Sequence, residues 1–189
     1  MAPKTRTWPC AVAALIALSG VVGLPSQANA AAPNANRWVL DAGDMPKGWV
    51  TGSFVPGEQW SWDMMRSHNG SPAPSSAAQA IFWKGRFTSF WDILGSWPTA
   101  AVASAAFTST EAGMLASAHT PIPGLGTFGH RMAAYRFGPD DDVALIQKGR
   151  ALAIFSYLVE SSPTAAHKAY PATSTFRSLV RLALAKVGG

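Results

Sequence analysis

The side chains in this sequence that could carry chemistry or recognition are its tryptophans, four histidines and ten carboxylates. Tryptophan combines a large contact area with one polar N–H. That suits sugar stacking, interface anchoring and partner hot spots. Trp60 and Trp62 lie in a stretch rich in Gly, Ser and Pro. A Trp-x-Trp pair in a strand puts both rings on one face. With Arg66 and His68 nearby, these two rings are the candidate ligand-binding surface. Trp49, Trp83 and Trp91 read instead as core residues.

The catalytic patterns are weak. No two of His68, His119, His130 and His167 stand at i, i+4, and no His-Glu-x-x-His occurs. His119 and His130 flank a Gly/Pro loop and form the only two-histidine pairing suggested. Loop-surface histidines are the simpler reading, so no metal site is assigned. Gly52-Ser53 and Gly95-Ser96 lack the frame of a nucleophile elbow. A glycosidase needs two carboxylates across a cleft. Asp63 with Asp92, or Asp92 with Glu111, are the candidate pairs, and nothing singles them out. Gly124-Leu125-Gly126 is too short for a phosphate-binding fingerprint. Asp140-Asp141-Asp142 lacks the spaced pattern of a calcium loop and reads as a solvated turn. No catalytic residue and no cofactor are assigned.

Residues 1–30 read as a secretory signal peptide. Lys4 and Arg6 make its positive start, Ala11–Val22 its apolar stretch, and Ala28-Asn29-Ala30 its cleavage site. The only cysteine, Cys10, lies inside it. After cleavage no disulfide, thiolate nucleophile or cysteine metal site remains. The net charge of +5 falls to +3 without Lys4 and Arg6. That mild excess suits an acidic surface, such as teichoic polymers or phospholipid headgroups, and is too scattered for nucleic acid. No later run is long enough to span a bilayer. The Ala, Gly, Pro and Trp bias points to a high-GC Gram-positive source.

The framework is read from period and punctuation. Arg131–Glu160 holds three strand-type runs separated by Gly138-Pro139-Asp140-Asp141 and Gln147-Lys148-Gly149-Arg150. It predicts an antiparallel meander at the centre of the fold. The run Ala151–Val159 is apolar on both faces, as a strand covered on both sides should be. Ala77–Arg86 predicts a strand turned by Lys84-Gly85-Arg86. Phe87, Phe90, Trp91, Ile93, Leu94 and Trp97 are spaced by threes and fours. They predict a short amphipathic helix or a buried irregular segment. Pro98 would open a helix over Thr99–Phe107, with a further turn near Glu111–Ala118. His119–Gly126 is a loop. Phe176, Leu179, Val180, Ala183, Leu184 and Val187 predict a final helix, with Lys186 near its negative end. The domain plan is 1–30 signal peptide, 31–36 flexible leader and 37–189 a single α+β domain. Its antiparallel sheet is built on the C-terminal meander, with helices packed against it.

Leu40, Asp44, Met45, Pro46, Gly48 and Trp49 form a Leu…Asp-Met-Pro-x-Gly-Trp opening. It resembles the Leu…Asp-Leu-Pro-x-Gly-Trp opening of small secreted actinobacterial proteins, including lipoproteins and extracellular sensor-like domains related to the PsbP-like α/β/α sandwich. The resemblance implies a fold and no catalytic residues. The chain departs from the lipoprotein members by lacking their lipid-bearing cysteine. Pro46-Lys47-Gly48 reads as a tight turn, Trp49 as a plug at the core edge, and Asp44 as the cap of that turn.

Three functions compete. The first is a secreted, non-enzymatic envelope module binding a cell-wall polymer, an envelope surface or another protein. The second is a cell-wall hydrolase using two of Asp63, Asp92, Glu111, His119 and His130. The third is a membrane-surface protein using Phe87–Trp97 as an exposed stripe.

Overall fold

The computed structural model describes residues 34–52, 72–116, 120–137, 140–159 and 172–188. Trp60, Trp62, Arg66 and His68 lie outside the described residues. So do the predicted signal peptide, Asp63, His119 and His167.

Seven strands form one antiparallel sheet: β1 (Trp49–Thr51), β2 (Ser76–Lys84), β3 (Thr88–Ser96), β4 (Thr120–Pro121), β5 (Arg131–Phe137), β6 (Asp141–Lys148) and β7 (Ala151–Val159). Their order is β1-β2-β3-β7-β6-β5-β4. The meander is therefore the middle of the fold, with β7 as the central strand. It reaches β2 through β3, which pairs with it from Thr88↔Val159 to Ser96↔Ala151.

Two helices, α1 (Ala100–Leu115) and α2 (Thr173–Lys186), cover opposite faces of this sheet. Phe176, Leu179, Val180 and Ala183 of α2 bury Phe82, Phe90, Ile146 and Phe155 on one face. Phe155 and Phe90 stack there at 5.9 Å. Ala103, Ala106 and Phe107 of α1 cover Ile93, Leu145, Leu152 and Ile154 on the other. Both faces of β7 are buried, which is why its sequence shows no polar face. Trp49 is buried against Tyr157, with ring centroids 6.4 Å apart.

Phe87–Trp97 is not a helix. It is β3, registered against β2 from Ser76↔Ser96 to Lys84↔Thr88. Its helical spacing arises from two sets of strand residues facing two cores. Phe90 and Leu94 point to α2, while Ile93 and, just past the strand, Trp97 pack with α1. All four are essentially fully buried, so the proposed membrane stripe is not exposed. The two helical pieces predicted after Pro98 are one helix. Thr99 Oγ1 accepts the Val102 N–H at 3.2 Å and caps it. Replacing Thr99 by Ala should cost about 1 kcal/mol, a shift of a few degrees in Tm that thermal unfolding would show.

Three smaller expectations also change. Thr120 and Pro121, expected in a loop, pair with Arg136 and Tyr135. Asp141 and Asp142 open β6 rather than lying in a solvated turn, and Asp142 is fully buried. Asp44 does not cap the Pro46-Lys47-Gly48 turn, which closes by Trp49 N–H to the Pro46 carbonyl. Its carboxylate instead accepts the Asp41 N–H at 2.8 Å.

Candidate functional site

The β6–β7 hairpin turns at Gly149-Arg150, with Gly149 at φ +59°. A left-handed residue there suits Gly, which has no Cβ penalty. This turn carries Lys148 and Arg150 to one end of the sheet. Four other features reach that end. His130 precedes β5, and its N–H donates to the Gln147 carbonyl at 2.8 Å. The C-terminal end of α2 arrives with Val187 and Gly188. A 3-10 turn, Ala35–Arg37, brings Asn34, Arg37 and Trp38. Ser76 at the start of β2 holds this turn in place, its Oγ accepting the Ala35 N–H at 3.0 Å.

Between them lies a cavity of about 550 Å³ lined by Asn34, Arg37, Trp38, His130, Lys148, Gly149, Arg150 and Gly188. That volume falls within the range of about 300–1,000 Å³ usual for small-molecule sites. Three of the lining side chains are basic, and no carboxylate lines the cavity among the described residues. Lys148 Nζ donates to the Leu184 and Val187 carbonyls, 3.2 and 2.5 Å away. It thereby answers the negative end of α2, the role the sequence suggested for Lys186. Lys186 instead pairs with Asp44 and Asp41. Its ammonium is stabilised chiefly by the Asp44 hydrogen bond, which raises its pKa.

Gly129 sets the entry to this site. Its φ is +66°, and a Cβ there would stand 2.4 Å from the Gln147 carbonyl oxygen. Gly129→Ala should therefore displace the His130 hydrogen bond and lower stability by about 1–3 kcal/mol. Chemical denaturation measures the loss, and an unchanged midpoint would refute it.

Of the carboxylate pairs that the sequence offered for catalysis, Asp92 and Glu111 are kept apart, and Asp63 lies outside the described residues. Asp92 sits on the α2 face of β3, fully buried between Ala80 and Phe155 on the neighbouring strands. Its Oδ2 accepts the Leu40 N–H at 2.8 Å, and its Oδ1 has no hydrogen-bond partner. Burial pushes its pKa up to about 7, against the opposing pull of the Leu40 amide and Lys186. Glu111 lies on α1, across the sheet, beside Arg131 and Tyr135. Asp92 and Glu111 cannot share a cleft. His130 lines the cationic cavity. Among the described residues no group of three or more metal-ligating side chains forms.

Asn34, Arg37, Lys148 and Arg150 were not singled out from the sequence. The hairpin basics read only as turn residues, and Asn34 fell in the predicted leader. One signal was present: basic residues on both sides of a Gly in a turn, Lys148-Gly149-Arg150. Nothing in the sequence links that turn to Arg37. Compared with models of known protein families the chain matches none, and comparison with curated proteins gives no match either.

Proposed function

We propose that this chain is an exported, non-enzymatic binding module of the cell envelope, and that its cationic cavity holds an acidic group of an envelope polymer. The observation that carries the reading is the lining itself. Arg37, Lys148 and Arg150 converge with His130 on one cavity without a carboxylate among the described residues. Basic side chains gathered around a concave site raise the local concentration of anions. The signal-peptide pattern at residues 1–30 supports export. The separation of Asp92 from Glu111 supports a binding role over acid–base hydrolysis.

Co-sedimentation with purified cell walls tests the reading. Walls carrying their anionic polymers should retain the protein at low salt and release it as salt rises, because exposed charge pairs are screened. Walls stripped of those polymers should retain little. A double charge reversal, Arg37→Glu with Arg150→Glu, should abolish retention. Retention that ignores both salt and charge reversal would overturn the proposal. Anionic vesicles serve as the membrane comparison.

A further inference from the structure

We propose that the cationic cavity selects a phosphate ester, the phosphate bearing a glycerol- or sugar-sized alcohol, over a carboxylate. This rests on the anion-binding reading above and deepens it. The argument comes from which hydrogen-bonding atoms of the lining are already taken.

The acceptors are engaged. Asn34 Oδ1 accepts the Asn36 N–H at 3.0 Å, and the Asn34 carbonyl accepts the Arg37 N–H at 3.1 Å. The Gly149 carbonyl accepts from Gln147 Nε2 at 3.2 Å, and the Arg150 carbonyl accepts the Trp97 N–H at 2.9 Å. His130 Nδ1 accepts the Gly149 N–H at 3.2 Å. In neutral imidazole one nitrogen accepts and the other donates, so this bond leaves Nε2–H as the donor.

What these groups still offer is donors. The Asn34 amide has its NH₂, and His130 has its Nε2–H. An ammonium has three protons, and the Lys148 bonds to Leu184 and Val187 use two of them. Arg37 carries a guanidinium fork, which matches the oxygens of phosphate or carboxylate in pairs. These donors come from separate walls: the 3-10 turn, the residue before β5, and the hairpin. A carboxylate has two oxygens in one plane and serves one fork well. A tetrahedral phosphate directs oxygens to several walls at once and carries more charge. The cavity, at about 550 Å³, is much larger than one small anion. A water in liquid occupies only about 30 Å³. The remaining space suits the esterified alcohol.

Isothermal titration calorimetry of the purified chain tests this with glycerol 3-phosphate, glucose 6-phosphate and glucuronate as probes. A phosphate ester should bind at least about tenfold more tightly than glucuronate. Arg37→Gln should weaken it about tenfold or more, Arg37 being an exposed residue whose loss leaves the core intact. Asn34→Asp is the sharper variant. Asp keeps the side-chain oxygen that caps the 3-10 turn, yet replaces the amide donors with a negative charge, so binding should be lost with Tm preserved. Glucuronate binding as tightly as the phosphate esters would overturn the phosphate preference and leave the anion-binding module standing. No binding of any probe would overturn both. Phosphate-ester binding untouched by Asn34→Asp and Arg37→Gln would remove it from this cavity.

Discussion

At pH 8 the protein is expected to unfold at a Tm on the order of 10 °C below its value at pH 5, and Asp92→Asn should remove most of that difference. The cause is a carboxyl placed where its charge is not welcome. Asp92 is fully buried on β3, with Ala80 and Phe155 on the adjoining strands. One oxygen receives the Leu40 amide and the other receives nothing. Burial raises its pKa from the ordinary carboxylate value to about 7. The sign follows from proton counting. Between about pH 4 and pH 7 the folded chain keeps the Asp92 proton while the unfolded chain releases it. The favourable contribution is therefore present below the unfolded pKa and is lost as pH rises through about 7. A shift of this size corresponds to a loss on the order of 4 kcal/mol. Asp141, raised to about 6 chiefly by burial, acts in the same direction. Asp44 acts oppositely. Its pKa is lowered first by the Asp41 backbone hydrogen bond and then by Lys186, so its contribution is lost as pH falls. The maximum should lie on the mildly acidic side of neutral. Thermal unfolding followed by circular dichroism at pH 5, 6.5 and 8 gives the slope. Asn at position 92 retains an oxygen for the Leu40 N–H and cannot ionise. Parallel pH curves for the two proteins would show that Asp92 does not set the slope.

That carboxyl also shows where sequence reasoning stops. The meander was legible because Gly138-Pro139-Asp140 and Gly149 mark its two reversals between strand-type runs. The last helix was legible because Phe176, Leu179, Val180, Ala183 and Leu184 mark one apolar face, and those residues are buried. β3 was misread because a strand buried on both faces loses its alternation. Phe90, Ile93, Leu94 and Trp97 then mimic helical spacing. Asp92 stood in the sequence as a catalytic candidate. Its burial depends on Leu40, far away in the chain, lying over β3. The cationic cavity is less legible still, for it joins Asn34 and Arg37 to a hairpin more than a hundred residues on and to the end of α2. No local pattern encodes that meeting. Only the sheet order, which places β2, β3, β7, β6 and β5 side by side, brings them to one end. The residues favoured for contact, Trp60, Trp62, Arg66 and His68, lie outside the described residues and stay a separate candidate surface.

Arg136→Ala is expected to cost about 3 kcal/mol, far more than loss of a surface ion pair. Arg136 and Asp142 face each other across β5 and β6. The guanidinium grips the carboxylate with both arms, Nε to Oδ1 at 2.7 Å and Nη2 to Oδ2 at 3.0 Å. The Asp142 side chain is fully buried, whereas Arg136 keeps 29% of its surface exposed. The pair is therefore asymmetric. Removing the exposed partner leaves a buried carboxylate with its charge unanswered, opposite Tyr157 on β7. Tyr157 already responds to this neighbourhood, for burial first and then the Asp142 charge raise its pKa. Arg136→Lys should recover part of the loss, since an ammonium restores the charge but not the paired geometry. Replacing both residues by Leu should be far milder than Arg136→Ala alone, because the expensive buried charge disappears with its partner. Urea denaturation of the wild type and these three variants, with Arg136→Leu and Asp142→Leu added to close a double-mutant cycle, separates these effects. A loss below about 1 kcal/mol for Arg136→Ala would place the pair among ordinary surface contacts.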